Sequence, residues 1–419
     1  MKHDLQVKIL KELMHQLDTG RNVDAGVQYR NPTSSYVCED LARRERDEFF
    51  QHHPQLIGLS GDLPEPGTWF TVEDFGTPIL ATRDKEGQFH AFLNACRHRG
   101  AKLTRETRGK GSRFVCPFHS WTYSASGDLM GVPQQDHFGP VDKQCSSLIA
   151  LPAAEHLGML WVHPQPDGEL DIAALLGPLD EEFSTHNFAD YVYVGENLIE
   201  MNLNWKLAND TFGETYHFQK LHRNTLGQLF YGDNLAYEEI GRHHRFVFAG
   251  KGIDLLREMP EEEWKLTDGA NLLYYLFPNI QFNMGTGAIF MIKIYPHPSD
   301  PGKSITRVGN YFTPETFKLA RAAESDASVK TVNRENVYDA DLAQDSVNSD
   351  VALSLEAITE IFASTISDED YLMGEHQQIA AQNGLLDHVI FGRNEPALHH
   401  YHNTFRAALG MPPLEKIQA

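Results

Sequence analysis

The chain has 419 residues, 41% hydrophobic and 22% charged, which suits a folded chain of two or three domains and excludes a disordered one. Its 36 Lys and Arg against 58 Asp and Glu leave a net charge of −22, which argues against nucleic acid or an anionic membrane surface as a general partner. Four cysteines are too few for a disulfide scaffold and suit a reducing compartment, whereas 21 histidines, several beside cysteines or carboxylates, raise the question of metal.

In chain order, Leu5 to Leu17 alternates apolar and charged residues, which predicts an amphipathic helix and not a signal peptide. Residues 1–45 read as this helix followed by irregular chain, with Asn31-Pro32-Thr33 as a breaker. From Thr68 the texture changes to short alternating runs. Strands are expected at Trp69–Val72, Pro78–Thr82, Gln88–Leu93, Phe114–Val115, Trp121–Tyr123 and Met159–Val162, making a small antiparallel β domain that ends near residue 165. Pro164, Pro166 and Gly168 then read as a linker. Beyond it, Asp210–Leu221 is expected to be helical. Ile280–Phe282, Ala288–Tyr295 and Thr306–Phe312 should form a meander. Thr316–Ala323 and Ser354–Ile366 have helical spacing, and Asp368–Gln382 is expected as the last long helix. Strands followed by helices imply an α+β domain. No apolar run approaches the roughly 18 residues of a membrane span, so no membrane partner and a cytoplasmic location are expected.

Two constellations carry chemistry. Cys96-Arg97-His98 and Cys116-Pro117-Phe118-His119 each fall on a loop between expected strands. Two thiolates and two imidazoles fit a tetrahedral zinc site or a two-iron cluster with both sulfurs on one iron, and spacing alone does not separate them. The second constellation is His217 and His222 in the segment Asn204–His222. Two histidines and a carboxylate on one side of an iron make an oxygen-activating triad. A five-residue step, however, turns about 140° on a regular α-helix, so a π-bulge or a break is needed to bring the pair together.

The string Cys96-Arg97-His98-Arg99-Gly100 … Cys116-Pro117-Phe118-His119-Ser120-Trp121 resembles the Rieske signature. Together with Asn204-Trp205-Lys206 … Glu214 … His217 … His222, the chain resembles the alpha subunits of Rieske non-haem iron oxygenases, the aromatic-ring-hydroxylating dioxygenases, over about residues 45 to 405. The resemblance implies an α+β chain in three parts. An N-terminal helical segment (1–45) packs on the catalytic domain, a small antiparallel β Rieske domain (46–165) follows, and a catalytic domain (166–419) sets an antiparallel sheet and helices around a mononuclear iron. It implies a [2Fe-2S] Rieske cluster on Cys96, His98, Cys116 and His119. It also implies a mononuclear Fe(II) on His217, His222 and a distant aspartate. The best match is Asp370 in Glu369-Asp370-Tyr371, with Asp368 as the rival. Glu214 stands where the family passes electrons between subunits, a position where many relatives have Asp.

Two departures are visible: Phe118 stands where the family commonly has Tyr, and Ser120 where it commonly has Gly. The first removes a hydroxyl that could tune the cluster. Cys38 and Cys145 lack histidine partners, Asp210 is read as a polar neighbour of the iron and not a ligand, and His399, His400 and His402 are read as supporting residues.

Phe212, Phe218, Leu221, Leu273, Tyr274, Phe277, Phe282, Met284 and Phe290 are candidate pocket residues, each more often core than lining. No nicotinamide, flavin or plant-type ferredoxin fingerprint is present, so electrons are expected from a separate NAD(P)H-dependent reductase, directly or through a ferredoxin. Electron flow between subunits implies a ring-shaped oligomer, most simply a homotrimer. Hydroxylation of a small aromatic substrate by dioxygen leads. Oxygenation of a methyl, aliphatic or quaternary-ammonium carbon is the alternative, and a non-catalytic Rieske electron carrier is the alternative of another class.

Overall fold

The computed structural model describes residues 1–324 and 354–418. The chain forms two compact units, one of residues 44–176 with 187–191, the other of 1–43, 177–186 and 192–419. Pro164 to Gly168, expected as a linker, lies inside the first unit. Gly168 has no room for a Cβ there because the His163 ring fills that space.

The first unit is antiparallel β, as its alternating runs predict. A five-stranded sheet has the order Ala150–Leu151, Phe89–Leu93, Ile79–Arg83, Thr68–Val72, Arg108–Lys110. A three-stranded sheet of Arg113–Val115, Thr122–Ser124 and Leu129–Gly131 stands beside it. Trp69, Phe92, Phe114, Trp121 and Tyr123 fill one buried cluster, and Cys96 and Cys116 are part of it.

In the second unit, seven strands form one antiparallel sheet. They are β1 (Val192–Met201), β2 (Ala236–Ile240), β3 (His243–Ala249), β4 (Ala270–Leu276), β5 (Ile280–Gly285), β6 (Ala288–Pro296) and β7 (Ser304–Phe312). The order is β1-β7-β6-β5-β4-β3-β2, a meander closed by β1. Of these, β5, β6 and β7 match the sequence expectation, whereas β1 to β4 were not anticipated. Helix α1 (His3–Thr19) packs on this sheet. Its buried Gln16 accepts from Leu235 N at 2.9 Å and donates to Leu235 O at 2.8 Å. Further helices are α2 (Trp205–Asp210), α3 (Leu355–Thr365), α4 (Tyr371–Gln382) and α5 (Pro396–Ala408).

Three helical expectations need correction. The chain leaves α2 at Asp210 and runs through successive turns as far as Thr225, so Asp210–Leu221 is not a helix. Gly213 explains part of this: a Cβ there would meet Leu398 Cδ2 at 2.6 Å, so the chain packs too closely for a regular cylinder. Secondly, Ile366–Asp370 is a π-helical turn between α3 and α4, so α4 begins at Tyr371. Thirdly, α4 is not the last long helix. Pro396 opens α5 at its first turn, where a missing N–H costs nothing, and the tail histidines lie on that helix.

Candidate metal centres and the cavity beside them

The Cys–His quartet sits on two loops whose backbones repeat one another. In the first, Cys96 N donates to Ala101 O at 2.8 Å and Gly100 N to Cys96 O at 2.9 Å. In the second, Cys116 N donates to Trp121 O at 2.8 Å and Ser120 N to Cys116 O at 2.9 Å. The fourth residue after each cysteine therefore closes its turn with positive φ, 73° at Gly100 and 59° at Ser120. Glycine adopts this conformation freely, and serine does so at some cost.

Both cysteines are buried, and burial first of all, with Cys116 beside it, pushes the Cys96 thiol up. Two desolvated sulfurs side by side are stable as thiolates only with metal charge. His98 stacks on Trp121 (ring centroids 5.2 Å apart, planes at 11°), and its shielded Nδ1 has no hydrogen-bond partner. His119 lies 4.6 Å from His98 by ring centroid and is exposed. Among the described residues the one group that converges within 4.8 Å is His217, His222 and Asp370. Two buried sulfurs and two imidazoles on paired loops are the donor set that a two-iron cluster takes. The hydroxyl given up at Phe118 has a counterpart that was not anticipated from sequence. Tyr123 Oη lies 3.4 Å from Cys96 Sγ and accepts from Arg97 N at 3.0 Å, and a deprotonated sulfur can only accept from it.

The second centre draws on separate elements. His217 Nε2 and His222 Nε2 lie 3.2 Å apart, and Asp370 Oδ1 is 3.3 and 3.1 Å from them. The turns after α2 achieve this: Leu221 N donates to His217 O and His222 N to Phe218 O, and Gly227 N closes back to His222 O. Of the two devices anticipated between the histidines, a π-bulge or a break, the break is the one found, and a π-helical turn lies on the carboxylate's segment. Asp368 is exposed and accepts from Ser367 Oγ at 2.6 Å.

Each imidazole also has a carboxylate behind it. His217 Nδ1 donates to Glu214 Oε1 at 2.5 Å, with Glu214 Oε2 accepting from His217 N. His222 Nδ1 donates to Glu369 Oε2 at 2.7 Å, and Thr225 Oγ1 donates to the same oxygen. Sequence gave Glu369 no role of its own. These bonds hold an Nδ1 proton on each ring and turn both Nε2 atoms toward Asp370, where each would offer its lone pair to a bound cation. Burial works against the His217 imidazolium, but bonds to Asp370 and Glu214 outweigh it and hold the pKa up at about 10. A divalent cation would displace that proton. Asp210 does not join the triad. It accepts from His402 Nε2 at 2.9 Å and Tyr36 Oη at 2.9 Å.

Two cavities meet at the triad, and Thr211, Glu214, His217 and Asp370 line both. One, of about 680 Å³, is polar around Tyr36, Asp210, Lys220, His376 and Glu395. The other, of about 260 Å³, is lined by six phenylalanines (212, 218, 246, 248, 290 and 362) with Leu226, Leu229, Leu273, Ile358, Ile361 and Ile366. Of the pocket candidates, Phe212, Phe218, Leu273 and Phe290 line it. Leu221 lines the polar cavity, while Tyr274, Phe277, Phe282 and Met284 are buried core. Of the lining residues that were missed, Ile358, Ile361, Phe362 and Thr365 carried a readable signal in their helical spacing on α3, whereas Phe246 and Phe248 sit in a continuous apolar run on β3 that gives none.

Residues 188–411 match the family described as ring hydroxylating alpha subunit (catalytic domain), and residues 53–150 match the Rieske [2Fe-2S] domain. The glycine betaine monooxygenase oxygenase subunit of Chromohalobacter salexigens is 31% identical over 192 residues, 45% of this chain and 42% of that one. The benzene 1,2-dioxygenase subunit alpha of Pseudomonas putida is 27% identical over 231 residues, 52% of this chain and 50% of that one. The matches thus span half or less of these relatives' lengths. Among solved structures, a quaternary ammonium Rieske monooxygenase, described for carnitine oxidation and inter-subunit electron transfer, superposes with a TM-score of 0.70. That likeness is 20% identical, covers 92% of this chain and 95% of that one, and is a likeness of fold.

Proposed function

Because the chain belongs to the ring-hydroxylating alpha-subunit family and carries a Rieske [2Fe-2S] domain, we propose that it is the terminal component of an oxygenase acting on a small apolar aromatic substrate. The observation that carries this reading is the phenylalanine-lined cavity opening on His217, His222 and Asp370. In this reading Cys96, His98, Cys116 and His119 hold the cluster and His217, His222 and Asp370 hold the mononuclear iron. When bound, the two supply single electrons and a centre that activates dioxygen.

The chain's own residues do the rest. Glu214 and Glu369 fix the tautomers of the two histidines. The apolar cavity excludes water and presents a flat substrate's edge to the triad. Glu214 lines the polar cavity as well, so its carboxylate can link His217 to a cluster histidine of a neighbouring subunit. The exposed His119 is the one we assign. The assembly is then a homotrimer or a multiple of it, fed by a separate NAD(P)H-dependent reductase, directly or through a ferredoxin.

The second reading, oxygenation beside a quaternary ammonium, is favoured by the match to the glycine betaine monooxygenase subunit and by aromatic rings, which also attract onium groups. Against it, betaines carry a carboxylate, and no Lys or Arg lines this cavity among the described residues. Oxygen uptake by the iron-loaded protein with a reducing system, across neutral aromatics and trimethylammonium compounds, decides between them. Uptake with the aromatics alone is expected, and uptake with the ammonium compounds alone would overturn the assignment.

A further inference from the structure

One polar side chain interrupts the apolar face that the sheet gives this cavity. Across the sheet, Phe246 of β3 pairs with Leu273 of β4, Leu273 with Asn283 of β5, and Asn283 with Phe290 of β6. All four line the cavity beside the triad, so Asn283 occupies the middle of an otherwise hydrophobic row. An amide in such a row is costly unless both of its ends are used. One end is: Asn271 Nδ2, from the neighbouring strand, donates to Asn283 Oδ1 at 2.9 Å. With its oxygen used in that bond, Asn283 Nδ2 has N–H groups without an acceptor among the described residues.

The other polar lining groups are engaged. Thr211 Oγ1 donates to Ala208 O at 2.9 Å and Thr365 Oγ1 to Ile361 O at 2.9 Å. The Nδ1 protons of His217 and His222 are held by Glu214 and Glu369.

We propose that Asn283 determines specificity by donating a hydrogen bond to a neutral oxygen acceptor, a carbonyl or hydroxyl oxygen, on an otherwise apolar aromatic substrate. The proposal rests on the aromatic reading above and sharpens it. A neutral acceptor is specified because, among the described residues, the cavity offers no Lys or Arg to compensate a buried carboxylate. The bond from Asn271 leaves Asn283 as a donor, so an acceptor held by it turns one particular edge of the ring toward the triad.

The test uses pairs that differ by one carbonyl oxygen, 1-indanone with indane and acetophenone with ethylbenzene. Binding to the purified full chain is measured by calorimetry, and regiochemistry of the product by turnover of the iron-loaded protein. Each ketone should bind more tightly than its hydrocarbon by about fivefold to tenfold, the usual weight of one neutral hydrogen bond. Asn283→Leu and Asn283→Met each remove the amide donors and the oxygen without adding a charge to the cavity.

Both variants should abolish the ketone's advantage while hydrocarbon binding stays within about twofold, and the ketone's product should lose its single regiochemistry. An unchanged ketone preference in both variants would overturn the proposal, as would wild-type protein with no preference. If all four compounds fail to bind while a trimethylammonium compound binds, the aromatic reading itself falls and this inference with it.

Discussion

The Cys–His quartet is carried by two loops of one small β unit whose hydrogen bonds repeat loop for loop. His217 and His222 come from irregular turns, and Asp370 comes from a helix junction 148 positions beyond His222. The first centre is closed by short-range bonds, so its geometry is written locally. The second exists only once α2, α3 and α4 are packed around the sheet, and it needs carboxylates behind its histidines to keep donor atoms aligned. A local centre should therefore survive damage to the distributed one, and the reverse.

The largest effect expected from that contrast is a crossed loss of metal. In the proposed reading, two irons in the cluster and one at the triad make three per chain. Asp370→Ala should leave the cluster's rhombic electron-paramagnetic signal intact and remove only the mononuclear iron. Cys116→Ser should do the opposite and bleach the red-brown colour. Loss of both metals in Asp370→Ala would mean that the centres are not independent.

Next in size is Glu369→Gln, which keeps the shape but weakens the carboxylate behind His222. Iron affinity at the triad should fall about 10- to 100-fold in a chelator competition, the usual weight of such a partner. An unchanged affinity would mean that His222 keeps its tautomer and orientation without Glu369.

The sheet that frames the distributed centre carries its own test. Glu196 on β1 bridges Lys293 of β6 at 3.0 Å and Arg307 of β7 at 3.0 Å, and Lys293 is buried. Burial alone would raise the Glu196 carboxyl, but the two cations outweigh it and hold its pKa below the ordinary glutamate value. A depressed carboxylate pKa contributes stability that is present above the unfolded value and lost as pH falls through the folded one. Glu196→Gln should therefore destabilise the catalytic unit by about 3 kcal/mol near pH 7, because it leaves Lys293 buried without its charge partner. The gap between wild type and variant in denaturant unfolding should close as the pH falls below the ordinary glutamate range and through the lower folded-state value, where the carboxylate takes up its proton. A gap that persists in acid would assign the effect to packing.

The smallest effect compares the two cluster loops. Ser120 has the left-handed conformation that Gly100 has in the matching position. Ser120→Gly should stabilise the β unit by about 1 kcal/mol and Gly100→Ser should cost a similar amount, read from the temperature of cluster bleaching.

The same contrast explains what could be read in advance. Cys96, His98, Cys116 and His119 stand out as a metal-binding set because their spacing and their loops form one local signal, as do the alternating strands around them, while the choice of a two-iron cluster came from resemblance. His217 and His222 were identifiable only through resemblance, since regular helical spacing sets them apart. The turns that unite them depend on contacts such as that of Gly213 with Leu398, which no local pattern reveals. Strands β3 and β4 were missed because they are buried on both faces and so do not alternate cleanly. Glu369 had no signal except its place beside Asp370. Tyr123 could have been suspected, being two residues after Trp121 on the strand that leaves the second loop. Asn283 needed the register of β4 and β5 before its unused amide donors became apparent.

The measurement that tests the account most directly is a single turnover of the pre-reduced protein with substrate and dioxygen. It compares wild type with Glu214→Gln and follows both the reduced-cluster signal and the product. The wild type should lose the signal and form product together. Glu214→Gln should retain all of its iron and its substrate affinity, yet hold the reduced signal at least tenfold longer and form correspondingly little product. Loss of the mononuclear iron in Glu214→Gln, or decay of its signal as fast as in the wild type, would contradict the role of Glu214 as the link between the two centres.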